Sequence, residues 1–394
     1  MLLKSPIPLS NQKIPFFLHI PFIFFFLWSV PTSILLLGME KTYLILLLFA
    51  TSHLIACCKN SNASTPASLT TSSSIVKSTD KKIAGLTMVA PPRPFPTDPM
   101  PQIQSVGAGW IAAVPYAFTR PGEASVHYHA DGGGQWWGET PAGTAETILT
   151  AHRSGIKVML KPQVYIPGGW TGALDFGTDQ EWEQWEAGYT QYIMHMALIA
   201  DTTHADLFCI GTEFNNAINK RTNYWRKLIV QIKTQYHGKL VYSSNWDDWE
   251  SVPFWNDLDY IGLGGYFPLI EAETPTVEAL CEAWKPIRDR LKKFSQQQNR
   301  PVLFTEFGYM SVSNCGWRNW ELENGIKSRP INEQAQANCF DALFSTFFTE
   351  SWWAGGFLWK WFPNGQGHEG YPERDYTPQG KLSETIIKKW YSSH

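Results

Sequence analysis

From Ile83 onward the chain alternates short apolar runs with longer amphipathic ones, and this alternation limits the possible folds more than any other feature. The short runs are "IAGLTMVA" (83–90), "GWIAAVPYAF" (109–118), "IKVMLKPQV" (156–164), "DLFCIGTEF" (206–214), "KLVYSSNW" (239–246), "YIGLGGYF" (260–267), "PVLFTEFGY" (301–309) and "GGFLWKWF" (355–362). Each reads as a strand, and most are followed by a helical pattern, at 144–155, 178–201, 221–238, 276–298, 332–350 and 379–391. In the second of these, Trp182, Trp185, Tyr189, Tyr192, Ile193 and Met196 recur at three- and four-residue steps and make one apolar stripe. Pro286 is expected to kink or interrupt its helix. Eight strands, mostly followed by helices, predict a single α/β unit, a (β/α)8 TIM barrel, over 83–394. The rival, a doubly wound open sheet, usually carries a Gly-rich phosphate turn. No G-x-G-x-x-G leads from the first predicted strand into a helix, and there is no Walker loop.

The segment before the barrel reads differently. "MEKTYLILLLFATSHLIACCKN" places Lys41 before an apolar run and ends in Leu-Ile-Ala-Cys, the pattern of a bacterial lipoprotein signal at 39–56 with Cys57 as the lipidated residue. Residues 1–38 are apolar and interrupted by prolines; they are expected to be an upstream extension or apolar segment outside the fold. Residues 57–82 are Ser/Thr-rich, without apolar periodicity, and read as a flexible tether. The expected location is therefore outside the cytoplasm, lipid-anchored to the bacterial cell envelope, with the membrane contacted through the anchor and the protein a monomer. An exported chain can form disulfides, and Cys315 with Cys339 is one available pair; Cys209 reads as a small buried hydrophobe.

A net charge of −3 gives no basic surface for nucleic acid. The 19 tryptophans suit a protein that stacks flat, weakly polar ligands, besides filling a core. No cysteine or histidine spacing marks a metal site; "HYHAD" (His127, His129, Asp131) alternates ligand types but reads better as a hydrogen-bonded loop. No cofactor is expected.

The informative residues sit where strands end. Glu213 closes the fourth predicted strand and Glu306 the seventh, so a barrel would bring both to its downstream rim. Two carboxylates, one protonated and one charged, about 5–5.5 Å apart, are what a retaining glycosidase needs. The bland alternative is that each glutamate pairs with a rim Lys or Arg. Trp359 on the eighth strand is a candidate sugar platform, with Trp361 on the same face if alternation continues. Tyr266 is placed to hydrogen-bond Glu306. Lys161 and Gln163 share a face at the third strand's end; Lys161 could bind sugar hydroxyls or pair with Glu306. Trp110, Tyr116, Trp170 and Trp246 are candidate subsite walls, at least two of them expected to be core, and Trp136 with Trp137 suggests an exposed stacking surface.

Glutamates on strands four and seven are the layout of the large clan of retaining β-glycosidases with TIM-type barrels. Within it, "WIAAVPYAF", "VMLKPQVYIPGGWTG", "FCIGTEFNN", "SSNWD", "LFTEFGY" and "GFLWKWFPN" together resemble glycoside hydrolase family 113, from about Ile83 to the end. The resemblance implies endo-β-1,4-mannanase activity on mannan or glucomannan, Glu213 as acid/base and Glu306 as nucleophile. Many members of the wider clan have Asn directly before the acid/base where this chain has Thr212, so Asn215 or Asn245 would take over the sugar 2-hydroxyl. The alternatives are a non-catalytic surface glycan-binding lipoprotein, or the same chemistry on another β-glycan.

Overall fold

The computed structural model describes residues 81–128, 135–365 and 370–393. The expected upstream extension, lipoprotein signal, Cys57 and nearly all of the tether lie outside the described residues, as do His129 and Asp131. Among the described residues no helix is long and apolar enough to cross a membrane.

The described residues form ten strands: β1 Ile83–Met88, β2 Trp110–Ala113, β3 Tyr116–Phe118, β4 Lys157–Leu160, β5 Gln163–Tyr165, β6 Leu207–Thr212, β7 Lys239–Ser244, β8 Ile261–Gly264, β9 Val302–Phe307 and β10 Trp353–Trp361. Eight of them close a parallel barrel in the order β1-β10-β9-β8-β7-β6-β4-β2, with β2 returning to β1. The eight predicted strands are the eight barrel strands.

Two predicted strands are broken, each at a proline. Pro115 separates β2 from β3 and Pro162 separates β4 from β5, because proline supplies no N–H to a ladder. The pairing resumes beyond the break, with Gln163 N donating to Pro115 O at 2.9 Å and β3 and β5 forming their own two-stranded sheet. Lys161 thus stands on the barrel side of the break and Gln163 just past it.

Apolar side chains divide between two shells. Inside the barrel pack Ala112, Met159, Leu207, Cys209, Val241, Leu303 and Phe357. Strand residues of the opposite parity, such as Ile111, Val158, Phe208, Leu240 and Phe304, pack outward against the helices. The six-residue stripe of helix Asp179–Thr202 is wholly buried there, and Thr178 starts that helix with a capping box to Glu181. Trp185, Trp225, Trp249, Trp284 and Trp353 are fully buried, so much of the tryptophan excess serves this shell and not a ligand. Helix Val277–Gln298 runs through Pro286 without interruption. Pro286 is exposed, so water can serve the carbonyl that its missing N–H leaves unbonded.

Candidate active site

Glu213 follows β6 directly. The β6–β7 ladder is irregular between Cys209 and Thr212, and Glu213 itself adopts a left-handed backbone with φ 55°. That conformation costs a residue with a Cβ about 1–2 kcal/mol. It is held from β7: Glu213 N donates to Ser243 O at 2.7 Å, and Phe214 N to the Tyr242 hydroxyl at 2.7 Å. The Trp170 indole donates to Glu213 Oε2 at 2.7 Å. Trp170 can lie there because residue 172 is glycine; a Cβ on it would stand 2.3 Å from the indole ring. Among the described residues no cation pairs with Glu213. Burial, reinforced by the nearby Glu306 charge and opposed by the Trp170 hydrogen bond, pushes its carboxyl up to about 7.

Glu306 lies near the end of β9, where alternation fails. Phe304 and Phe307 both pack in the outer shell, so Thr305 and Glu306 together occupy the inner side. The register shifts against both neighbours mark this bulge. Thr305 is pinned by the Ser243 hydroxyl at 2.7 Å. Glu306 Oε1 accepts from the Lys161 ammonium and from Gln163 Nε2 at 2.8 Å, and Oε2 from the Tyr266 hydroxyl at 3.3 Å. Lys161 is fully buried, while the Glu306 side chain keeps 15% of its surface open. One cationic and two neutral donors are a set complementary to a carboxylate.

Both glutamates open into one cleft of about 690 Å3, walled by Trp170, Asn245, Trp246, Tyr266, Trp320, Trp359 and Tyr376. Past Trp359 and Tyr376 a second lobe of about 700 Å3 continues between Tyr116, Phe118, Tyr165 and Tyr371.

Trp359, Tyr266, Asn245, Trp170 and Trp246 are therefore brought together, and Tyr116 joins the second lobe. Several expectations need correction. Lys161 and Gln163 do not face a sugar; they sit behind Glu306 and hold it. Trp110 begins β2 and so lies at the upstream end of the barrel, beside Lys157 and Lys239, opposite the two glutamates. Asn215 is the first residue of the short helix Asn215–Lys220 and is not in the cleft wall. The Asn245 side chain is engaged locally, by Asp247 Oδ1 at 2.9 Å and Trp246 N at 3.0 Å. Trp361 is buried in the outer shell: β10 carries Trp359 and Trp361 against consecutive Thr87 and Met88 of β1, and this bulge turns the second tryptophan away. Trp137 is anchored through its indole to Glu146, while Trp136 remains exposed. His127 bonds Ser125 and Glu123.

Cleft residues that escaped sequence reasoning include Asn319, Trp320 and Glu323 from the loop after β9 and Tyr376 from the loop after β10. Trp320 stacks on Trp246, with centroids 5.4 Å apart and planes 18° apart. Both loops follow barrel strands at the downstream rim; which of their residues point inward is set by tertiary contacts.

A β/α barrel whose downstream mouth holds a high-pKa glutamate and a donor-clamped glutamate among sugar-sized aromatic walls is a glycoside hydrolase. Residues 99–381 match Glycoside Hydrolase Family 113, and the chain belongs to that family. Among solved structures, a GH113 β-1,4-mannanase is 26% identical, with a TM-score of 0.66, covering 80% of this chain and 100% of that one. The GH113 β-mannanase AaManA from Alicyclobacillus acidocaldarius, in complex with ManMIm, is 25% identical with a TM-score of 0.68, covering 80% and 98%. A β-glucuronidase from Ruminococcus gnavus, 14% identical with a TM-score of 0.53 over 79% of this chain and 50% of its own, shares the fold alone. No curated protein matches the sequence.

Proposed function

We propose that this protein is a retaining endo-β-1,4-mannanase, acting on mannan or glucomannan from a lipid anchor on Cys57 at the bacterial cell envelope. The observation that carries the mechanism is the split between the two carboxyls of one cleft. Glu213, its pKa pushed up to about 7 by burial, holds a proton for the departing glycosidic oxygen. Glu306, clamped by Lys161, Gln163 and Tyr266, attacks the anomeric carbon and forms the glycosyl–enzyme intermediate. Glu213, now a base, then takes a proton from the water that releases the sugar. The mannan assignment rests on the mannanase relatives within the family. Attack within chains is favoured by the second lobe, which lets a polymer run past Trp359.

The test is product analysis on mannan, glucomannan, cellulose oligomers and xylan, with the anomer formed first read by NMR. Retention and internal cleavage of mannan are expected. Glu306→Ala should be inactive; turnover surviving in that variant would remove the mechanism. Mass spectrometry of the membrane fraction tests the anchor, through a diacylglyceryl group on Cys57.

A further inference from the structure

The loop that supplies Asn319 and Trp320 to the cleft begins at a buried sulfur. Cys315 lies in that loop and Cys339 on helix Glu333–Phe347; their sulfurs are 3.8 Å apart and both residues are fully buried. Gly316 leaves room for this approach, since a Cβ there would stand 3.4 Å from Cys339 Sγ. The other described cysteines are placed elsewhere: Cys209 is inside the barrel, and Cys281 points its sulfur at Ala342 O. Both cysteines are free thiols here, and a disulfide would bring their sulfurs to roughly 2 Å.

We propose that Cys315 and Cys339 are joined by a disulfide in the exported protein, and that this bond fixes the loop bearing Asn319 and Trp320 on the substrate cleft. The position of that loop matters because Asn319 is almost fully buried, spends its amide N–H on Gly308 O at 3.1 Å, and leaves Oδ1 without a partner in the cleft wall. Asn319 and Trp320 both line the cleft, so a shift of the loop changes its wall. The oxidation is a dithiol–disulfide exchange. A disulfide-bearing oxidant takes the two electrons, one cysteine thiolate first forms a mixed disulfide, and the second expels the oxidant's remaining sulfur as a thiol. Because both sulfurs are buried, the bond forms before the loop packs and is shielded from reductant afterwards.

The pairing rests on the proposed export but not on the mannanase reading, on which only the activity arm rests. Peptide mapping without reductant, on the full chain exported by a host cell, should recover a linked pair containing Cys315 and Cys339. The link should resist reductant in the folded protein and open once denaturant is added. Free thiols at both positions would overturn the proposal. Cys315→Ala, Cys339→Ala and the double variant should each lower Tm by the same amount, about 5 °C, because losing either sulfur loses the whole bond. Additive losses would speak against the link. On mannan oligomers the variants should raise KM several-fold with kcat nearly kept. A linked wild type whose variants keep KM would overturn the role in fixing the loop, and a linked but inactive wild type would count against the mannanase reading alone.

Discussion

Lys161 reaches Glu306 across the whole width of the barrel. β4 and β9 are four strands apart in either direction around the sheet, yet the ammonium at the end of one meets the carboxylate at the end of the other. Lys161 is fully buried, so this is a cation placed in the barrel's interior for one anion. Lys161→Met should leave Glu306 without its cation. A stability loss of about 3–5 kcal/mol is expected in denaturant titration, since breaking a buried pair strands the remaining charge. In the same variant kcat on mannan oligomers should fall by about 100-fold or more, because the proposed nucleophile loses its electrostatic support.

The pH dependence follows from Glu213. In its proposed role as proton donor it must be protonated, so kcat/KM should decline as pH rises through about 7. The Trp170 hydrogen bond favours the charged form and holds that value down. Trp170→Phe should therefore move the alkaline limb upward, measurably in a pH–rate profile, while also raising KM.

Stability should fall with rising pH for the same reason. The Glu213 carboxyl is raised above its ordinary value of 4.5, so between about 4.5 and 7 the folded protein keeps a proton that the unfolded chain has released. Stability is lost through that window as pH rises. Glu213→Gln has no such loss, and should be more stable than the wild type by about 2 kcal/mol above pH 7, a figure discounted for the side chain's partial contact with water. The two should converge near pH 4, as thermal melts across the range would record.

Trp320 and Trp246 form a stacked wall at one side of the cleft, and Trp320 is 42% exposed. Trp320→Ala should raise KM for longer oligomers by about 10-fold, the equivalent of one lost stacking contact, with little effect on the shortest cleavable substrate. Equal effects at all lengths would place the pair elsewhere than a distal subsite.

The barrel was legible because eight apolar runs and their spacing leave few folds, and Glu213 and Glu306 were legible because a parallel barrel sends every strand end to one rim. Side-chain direction was not. Glu306 and Trp361 both sit at bulges, where a period-two count assigns the wrong face or none. Trp110 was misplaced because it opens its strand and does not close it. Asn319, Trp320 and Tyr376 lie in long loops, whose inward residues are chosen by tertiary contacts such as the Asn319 bond to Gly308 O.

β1 starts at Ile83, so the polypeptide enters the barrel at its base and the glutamates open at the other end. The cleft therefore faces away from the end at which residue 83 opens the first strand, so a long fibre can lie across the mouth without meeting the chain's entry into the barrel.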